Sequence, residues 1–453
     1  MNIKQVGGLA IIGLVAVGLY YASQMTLVVD PDRSEIAALQ EDLVVFRKEF
    51  FEADQSYSEE SRARAGTLLS DLDAEAPTLS DAQVQLRLAE IAALAQNGHT
   101  MFFTSQWSAR FNTLPIRLLV TGDGLLIGHA SQDYDHLVGA QVTAIEGHSW
   151  DDLSNAFARY HGGREGLRNQ YIYYFLESPE ILHAASLATA SDRLTLSLEV
   201  GGQATEVSLF ADESLPVMEG IDAILPPVRI AQVYAERGVT DLPLWLGEPG
   251  VTFRHTALPD QNAHYVQFRA NTDFTGEENV QDFIRGARAE IEAAAPRYII
   301  IDQRANIGGD LNETRNFMQA LAEMIPEDGH LFIITGGRTF SAGISSVGYA
   351  KQAAGDRATI VGEPIGDRLE FYAEGGSMGL PNSELRFLHA VERHNYMTGC
   401  PERDCHGAIR LNPIAVPTLD PEVALPLSIQ DYRERRDSTL EWILHDIEAR
   451  SAN

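Results

Sequence analysis

The sequence predicts an α/β fold built on a parallel sheet, and the main evidence is a strand–helix–strand series in its second half. Apolar runs at 298–302, 331–334 and 358–361 are typical strands, and the first two each end in a glycine-marked turn followed by a helix-period pattern. Uninterrupted apolar runs indicate parallel strands that are covered on both faces. Because crossovers in such series are right-handed, we expect both glycine turns at the carboxyl edge of one sheet, where ligand sites form.

The two turns carry residue types that suit acyl transfer. Gly308 and Gly309 let backbone N–H groups approach a ligand closely, and Ser341 begins the helix after the second turn. Free N–H groups at a helix start favour developing negative charge. An activated serine beside converging N–H donors could attack a carbonyl whose oxygen becomes an oxyanion. The alternative interpretation of Ser341 is a helix N-cap with no chemical role.

Four segments in this order resemble the C-terminal processing (tail-specific) serine peptidases and their relatives around the tricorn core. They span most of the chain from about residue 80, and they are Asn97-Gly98-His99-Thr100, the double-glycine run at 301–309, Thr339-Phe340-Ser341-Ala342-Gly343 and Val361-Gly362-Glu363-Pro364. The resemblance implies a ClpP/crotonase-like parallel-sheet catalytic core. It also implies a serine peptidase with Ser341 as the nucleophile.

His99 is the candidate general base. The processing peptidases use a lysine just past the strand that follows the nucleophile helix, and Asp367 stands at that place here. The tricorn-like branch instead uses a histidine ahead of the PDZ-like region, which corresponds to His99. An imidazole with an ordinary pKa near ~6.5 suits a base and later an acid. The alternative is a surface or capping histidine at the end of a helix.

The acid that orients this histidine is left open by the resemblance. Tricorn-type enzymes use a glutamate near the final proline-rich strand, where Gly407 and Ala408 stand here. Glu363 and Glu370 are the candidate substitutes, and for each the alternative is a solvated or core-paired carboxylate.

The implied mechanism is attack by Ser341 on a peptide carbonyl while His99 takes the proton. Backbone N–H groups of Gly308 or Gly309 and of Ala342 would hold the oxyanion, and water would release the acyl-enzyme. No metal or organic cofactor is required. Two other classes stay open, namely a non-catalytic peptide- or ligand-binding homologue on the same fold and a crotonase-type acyl-CoA enzyme, against which export and acidity argue.

Changes of pattern along the chain predict its domain organisation. An N-terminal helical region includes a capping box at Ser80 and Gln83, and short alternating strands between 112 and 211 resemble the family's PDZ-like module. That module could add a peptide as an edge strand, or act as a structural cap or gate. A second capping box is predicted at Thr275 and Glu278, and one amphipathic helix at 432–447. The predicted units are a signal anchor or signal peptide at 1–26, the helical region at 27–111, the PDZ-like module at 112–211, an irregular connector at 212–262 and the α/β serine peptidase core at 263–453.

The N-terminal segment predicts export. An apolar run of 17 residues follows Lys4, from Val6 to Ala22, and at ~1.5 Å per residue it spans roughly 26 Å of a ~30 Å hydrocarbon core. The large Tyr20 disfavours cleavage near Ala22, so an uncleaved signal anchor is favoured over a signal peptide. The rest of the chain is then expected to be periplasmic or otherwise extracytoplasmic, with the membrane as a partner through this segment.

Charge narrows the class of partner further. The chain has 34 basic and 64 acidic side chains, a net charge of −30. Such a surface repels phosphate backbones, so nucleic acid is not an expected partner. The expected partner is a peptide or protein substrate, and the acidity itself is interpreted as a means of solubility.

The two cysteines, Cys400 and Cys405, lie in one turn-rich stretch. An exported location permits a disulfide between them. The alternative is a metal site made of two thiolates and His406, for which the spacing offers no fourth ligand.

Overall fold

The computed structural model describes residues 35–211, 231, 238–239, 241–248, 250–273 and 279–452. Its α-helices within these ranges are α1 Glu35–Val45, α2 Glu59–Glu75, α3 Asp81–Ala93, α4 Trp107–Arg110, α5 Trp150–Phe157, α6 Glu165–Asn169, α7 Tyr173–Leu176, α8 Pro179–Ala184, α9 Val280–Ala294, α10 Leu311–Ala320, α11 Ala342–Ala354, α12 Gly407–Leu411, α13 Ile429–Glu434 and α14 Ser438–Ser451. Its strands are β1 Met101–Phe102, β2 Ile116–Thr121, β3 Gly124–Ala130, β4 Gln141–Ile145, β5 Arg193–Val200, β6 Gln203–Phe210, β7 Phe253–Leu258, β8 Ala263–Phe268, β9 Tyr298–Asp302, β10 His330–Thr335, β11 Ala358–Gly362, β12 Glu370–Gly379, β13 Arg386–Asn395 and β14 Val423–Ala424.

The predicted parallel sheet forms the core of the molecule. Its strand order is β14-β11-β10-β9-β8-β7, and every neighbouring pair is parallel except β7 with β8. Ile333 of β10 lies opposite Ile301 on one side and Ile360 on the other. All residues of β8, β9 and β10 are buried. The apolar runs are therefore the central strands, as the sequence predicts, and the glycine turns after β9 and β10 follow adjacent strands.

The segment predicted to be an irregular connector contributes a strand to this sheet. Residues Phe253–Leu258 pair antiparallel with β8 along its whole length. Their alternation of apolar and polar residues is short and weak, because β7 is an edge strand with partly exposed side chains. The sheet therefore begins ahead of residue 263.

A second sheet occupies the stretch predicted to be a β-rich module. Strands β2 to β6 form a five-stranded antiparallel sheet in sequential order. The helices α5 to α8 lie between β4 and β5 in the sequence. The predicted strands at 116–120, 124–127, 141–145 and 194–200 all lie within this sheet.

A third sheet was not predicted. The long strands β12 and β13 form an antiparallel hairpin, and the short β1 adds to it in the order β1-β13-β12. Register shifts on either side of Glu374 mark a β-bulge, and this residue has a left-handed backbone with φ 64°. Bulges re-aim side chains, and this one lies close to the candidate site.

The N-terminal helices agree with the predicted pattern where they are described. The Ser80 side chain accepts the Gln83 N–H and the Gln83 side chain accepts the Ser80 N–H, so the capping box before α3 is confirmed. The predicted box at Thr275 and Glu278 and the apolar run at 6–22 lie outside the described residues. No helix within the described ranges is long and apolar enough to cross a bilayer.

The C-terminal helix is broken in two, contrary to the prediction of a single helix. Arg435 takes a left-handed backbone (φ 57°) after α13, and Asp437 caps the start of α14. Helix α14 then packs on the sheet through Leu440, Ile443 and Ile447. The Asp437 side chain also accepts a hydrogen bond from Arg304, in the turn after β9 (3.0 Å). The break thus lets one carboxylate cap the last helix and hold the glycine turn.

We expect Asp437→Ala to lower the free energy of unfolding by about 3 kcal/mol. It removes a charged hydrogen bond worth ~1.5–3 kcal/mol and a helix cap worth ~1 kcal/mol. Asp437→Asn should lose less, because its amide oxygen can still accept both bonds. Denaturant unfolding measures the difference, and Asp446→Ala, which removes an ion pair with Arg450 on the same helix, is the matched control. Equal effects of Asp437→Ala and Asp446→Ala would contradict this role.

Candidate active site

Ser341 lies in a strained turn between β10 and α11. Its backbone has φ 52° and ψ −127°, although it is not a glycine, and its side chain makes no capping hydrogen bond to the helix that it precedes. A residue held in so sparsely populated a conformation costs on the order of 1–3 kcal/mol, and such residues cluster at functional sites. The structure therefore does not support the interpretation of Ser341 as a helix N-cap, and the hydroxyl is available for a chemical role.

The two glycine turns are in direct contact. A Cβ placed on Gly308 would lie 2.5 Å from the Ser341 Cβ and 3.0 Å from the Ala342 nitrogen. Gly308 and Gly309 have φ of 103° and 127°, which L-residues rarely adopt. Only glycine fits here, because the backbone must pass beside the serine in a conformation that side chains disfavour.

Asn306 joins the two turns. Its backbone carbonyl accepts the Phe340 N–H, and its side-chain oxygen accepts the Gly308 N–H, both at 2.9 Å. Its side-chain nitrogen donates to Asn271 at 2.8 Å and to Gln303 at 2.6 Å. The residue is fully buried, so this amide holds the position of the serine turn against the glycine turn.

Two of the three predicted oxyanion donors keep a free N–H group. The Gly308 N–H is occupied by Asn306. Within the described ranges, neither the Gly309 nor the Ala342 N–H has a hydrogen-bond acceptor. Both belong to the backbone that flanks the contact between the turns.

The turn that carries His99 is anchored at two points. The Asn97 side chain bonds the backbone of Tyr372 in both directions, at 2.9 and 3.0 Å, and so acts as a short strand partner of β12. The Gly98 N–H donates to Asp367 Oδ2 at 2.8 Å. The His99 ring then stacks on Phe340, the neighbour of Ser341, with ring centroids 4.3 Å apart. His99 and Phe340, 241 positions apart in the chain, are thus in contact.

His99 is buried and neutral. It is 7% exposed, and neither ring nitrogen has a hydrogen-bond partner in the part of the chain that the structure describes, so no hydrogen bond joins it to Ser341. Burial, and secondarily the charge of His394, lower the pKa of His99 to about 3, while Glu374 acts in the opposite direction. The imidazole is therefore in the form that can accept a proton at neutral pH.

Asp367 holds the histidine turn. Its two carboxylate oxygens accept the Gly98 and Arg368 N–H groups at 2.8 and 2.9 Å. Burial raises the pKa of Asp367 to about 6, against the lowering effect of these hydrogen bonds. The residue is fully buried and bonds the backbone beside His99, rather than its ring.

Neither candidate acid is hydrogen-bonded to His99, whose ring nitrogens have no partner among the described residues. Glu363 accepts a long hydrogen bond from the Gly337 N–H (3.4 Å), and burial raises its pKa. Glu370 pairs with Arg393 at 3.1 Å. The carboxylate whose charge acts on His99 is Glu374, at the bulge of β12. Sequence reasoning missed Glu374 because the hairpin that positions it was not predicted.

Asp302 and Arg304 brace the glycine turn. Asp302 accepts hydrogen bonds from the Arg304 backbone N–H (3.0 Å) and from the Tyr265 hydroxyl (2.6 Å). Arg304 bridges Asp302 and Asp437. None of these hydrogen bonds and ion pairs involves Gly308 or Gly309.

Cys400 and Cys405 form a disulfide, with an S–S distance of 2.13 Å. Their sulfur atoms are therefore not available as the thiolate ligands of the alternative metal site. The bridge lies in the loop between β13 and α12.

A cavity of about 580 Å³ opens beside the histidine turn. Its wall includes Asn97 and Phe371, and the Phe371 ring stacks on His99 at 5.4 Å. Apolar side chains and the guanidinium groups of Arg164 and Arg368 complete much of its lining. The cavity therefore shares a wall with the candidate site.

Comparison with solved structures identifies the fold. The chain is similar to mature CPAF in complex with lactacystin, with a TM-score of 0.53 and 13% identity over 90% of this chain and 97% of that one. A serine-to-alanine mutant of CPAF gives a TM-score of 0.50 and 12% identity over 88% and 94%. The photosystem II D1 C-terminal processing protease gives 0.34 and 12% over 87% and 93%. No family model matches the chain, and no curated protein matches it significantly.

We expect Gly308→Ala to destabilise the protein and displace the serine turn. Its Cβ would clash with Ser341 and its φ would be strained. The matched control is Gly139→Ala, which has a similarly left-handed φ of 83° but open space around its Cβ. Strain alone costs about 1 kcal/mol, so in denaturant unfolding Gly308→Ala should lose at least ~2 kcal/mol more than the control. Equal losses would mean that the two turns are not in contact.

At 12–13% identity, the similarity of this chain to the two CPAF structures concerns the fold. The resemblance of the sequence to the C-terminal processing serine peptidases is thus confirmed at the level of the fold, a mixed α/β architecture around a parallel sheet that this chain shares with CPAF.

Proposed function

We propose that the chain is a serine peptidase that cleaves peptide bonds through an acyl-enzyme on Ser341. The observation that carries the proposal is the strained, uncapped Ser341 in contact with a double-glycine turn. Strand-to-helix turns of this kind expose a serine hydroxyl as a nucleophile. The CPAF fold and the family motifs support the same reaction.

His99 is proposed as the general base. Ser341 Oγ attacks the substrate carbonyl carbon as its proton passes to the neutral His99 ring, and the protonated ring then gives that proton to the leaving amine. His99 and Ser341 must approach each other on substrate binding, which is common because catalytic hydrogen bonds often tighten only in the complex. Water then attacks the ester and restores the serine.

Gly309 and Ala342 are proposed as the oxyanion donors. Their N–H groups have no acceptor among the described residues, whereas the N–H of Gly308 is engaged by Asn306. A donor of this kind typically contributes ~3 kcal/mol to lowering the barrier. Gly308 instead contributes by having no side chain, which allows the serine turn to pack against it. Glu374 replaces Glu363 and Glu370 as the carboxylate proposed to act on His99, since its charge raises the pKa of that ring and neither candidate acid is hydrogen-bonded to it.

The β-rich module is proposed to act as a cap over the site, in the manner of a PDZ-like domain. A Cβ on Gly337, in the serine turn, would lie 2.3 Å from the Gly166 carbonyl oxygen, so α6 packs tightly on this turn. Arg338 also stacks over Tyr171 of the same module at 5.7 Å. A peptide would have to pass this contact or displace it. The cavity walled by Phe371 could hold a substrate side chain.

An exported location is proposed for the chain. The disulfide between Cys400 and Cys405 favours an oxidising compartment. The apolar run at 6–22 would serve as the membrane anchor or export signal.

A second candidate is a non-catalytic binding protein on the same fold. It is favoured by one observation, namely that neither nitrogen of His99 has a hydrogen-bond partner within the described ranges. Such a protein would use the same cleft to bind a peptide without attacking it.

Treatment of the full-length chain with a fluorophosphonate separates these two candidates. We expect a single adduct on the parent by intact mass, no adduct on Ser341→Ala, and at least ~100-fold slower labelling of His99→Gln, because general-base catalysis contributes ~10²–10⁴-fold. Ser345→Ala, on the same helix, is the control for the site of modification. A folded parent that gives no adduct would reject the peptidase and favour the binding protein.

The labelling rate should be nearly independent of pH between about 5 and 8. The neutral ring is the base, and its lowered pKa keeps His99 deprotonated down to about pH 3. A histidine with an ordinary pKa of ~6.5 would retain roughly 3% of its neutral form at pH 5. His394 and Glu374 are the titratable groups that act on the ring, and Asp367, with a pKa of about 6, bonds the adjacent Gly98.

Rates measured over this pH range test that assignment. An inflection near pH 6.5 that persists in Asp367→Asn would show that His99 titrates normally and would contradict its buried, neutral state. An inflection near pH 6 that disappears in Asp367→Asn would belong to Asp367 instead.

A further inference from the structure

Three side chains beyond Phe371 converge on one point. Glu374, His394 and His406 each offer a ligand atom, and these atoms all lie within 4.8 Å of one another. They come from β12, from β13 and from the residue that precedes α12. The mechanism proposed above uses neither histidine.

His394 has an unsatisfied nitrogen that faces this point. The residue is 2% exposed, and its Nε2 has no hydrogen-bond partner among the described residues. Glu374 Oε1 lies 3.6 Å from it, beyond hydrogen-bonding distance. Its Nδ1 lies 3.1 Å from the Tyr396 hydroxyl. With the proton on Nδ1, the Nε2 lone pair is available to a cation, which would account for an otherwise orphaned buried group.

His406 is oriented in the way that metal-binding histidines usually are. Its Nδ1 lies 2.6 Å from Glu392 Oε2. A carboxylate that accepts the proton of one ring nitrogen fixes the tautomer and leaves the other nitrogen as a ligand. The Cys400–Cys405 disulfide immediately before His406 restrains its backbone. Nε2 is therefore the ligand atom of His406.

Glu374 completes the set from the bulge. Its left-handed backbone places it beside His394, and its carboxylate side chain is 42% exposed, so it can adjust. Tetrahedral zinc with bonds of about 2.0–2.1 Å separates its ligand atoms by about 3.3 Å. The present 3.6 Å between Glu374 and His394 is close to that value, and the partly exposed His406 can tilt to close the remaining gap.

We propose that Glu374, His394 and His406 bind a divalent transition-metal cation, with Zn²⁺ as the favoured ion. Two imidazoles and one carboxylate suit Zn²⁺ better than Mg²⁺ or Ca²⁺, which prefer oxygen ligands throughout. Three protein ligands leave a fourth position for water. The net charge of −30 further attracts cations to the surface.

A second cluster of the same composition provides a matched control. His255, His264 and Glu290 also lie together. There, however, the two imidazoles already lie within hydrogen-bonding distance of each other, with His255 Nδ1 3.2 Å from His264 Nε2. Among the residues that the structure describes, no carboxylate pairs with His264 in the way that Glu392 pairs with His406, so we assign the cation to the first cluster.

The proposed cation site is coupled to the proposed base through stacked rings. Phe371 lies between His99 and His394, with centroid distances of 5.4 and 4.9 Å and interplanar angles of 10°. His394 in turn stacks on His406 at 5.2 Å. A bound cation would neutralise Glu374 and add positive charge beyond Phe371. It would therefore oppose protonation of His99, a consequence that rests on the proposed function.

Calorimetric titration of the full-length, oxidised, chelator-treated chain with Zn²⁺ tests the site directly. We expect binding by the parent and by His255→Gln. Glu374→Gln and His406→Gln should bind more than tenfold more weakly, and Glu392→Gln, which alters only the orienting partner, about 10–100-fold more weakly. A thiol assay confirms that both cysteines stay oxidised, and circular dichroism confirms the fold of each variant.

Three results would overturn the site. They are no Zn²⁺ binding by the parent, unchanged binding by Glu374→Gln and His406→Gln, or loss of binding in His255→Gln alone. None of these results depends on whether Ser341 is reactive.

Fluorophosphonate labelling with and without Zn²⁺ tests the coupling separately. We expect Zn²⁺ to slow labelling of the parent about tenfold, as an added nearby charge would, and to leave the rate of His406→Gln unaffected by Zn²⁺. An unchanged rate in a Zn²⁺-loaded parent would reject the coupling. Absence of labelling under all conditions would reject the peptidase, while the calorimetry would still decide the cation site.

Discussion

The side chain and backbone of Asn306 fix the relation between the two turns on which the candidate site depends. One residue accepts the N–H of Phe340 and the N–H of Gly308, so the serine turn and the glycine turn share a single buried partner. Removing that amide would leave several buried donors and acceptors unsatisfied, each at a cost of about 1–3 kcal/mol. The strain at Ser341 is tolerated because this network over-determines its position. The same bonds also decide which glycine N–H remains free.

The histidine turn is held by a separate set of hydrogen bonds. Asn97 pairs with the β12 backbone and Gly98 with Asp367, so the ring of His99 is placed by groups that never touch it. Asp367 thus positions the histidine turn through that turn's backbone. Beyond His99, Phe371 carries the packing on to His394 and His406. The hairpin of β12 and β13 is therefore both the wall of the site and the scaffold of the proposed cation site.

Prediction from the sequence succeeded where local pattern and burial agree. The strands at 298–302 and 331–334 are apolar throughout because both of their faces are covered, and this signal survives without any knowledge of the fold. The hairpin of β12 and β13 gave no such signal, because Gly375, Gly376 and the bulge at Glu374 interrupt its alternation. The strand at 253–258 was missed for a related reason, since an edge strand needs little apolar surface. A single helix was predicted at 432–447 because a left-handed residue such as Arg435 has no marker in composition.

The sequence by itself determined which candidate site residues this protein has: the serine after a strand, the double glycine and the histidine after a helix. It also determined the order in which they occur. These are local features, because a turn's conformational needs restrict the residues that can occupy it. Only the tertiary structure decided which groups are free to act. Three features depend on contacts that the order of residues does not reveal. The Gly308 N–H is already bonded, and His99 is not hydrogen-bonded to Glu363 or Glu370. Glu374, His394 and His406 lie close together although they are distant in the chain. Such contacts are set by the packing of whole elements, and no spacing along the sequence encodes them.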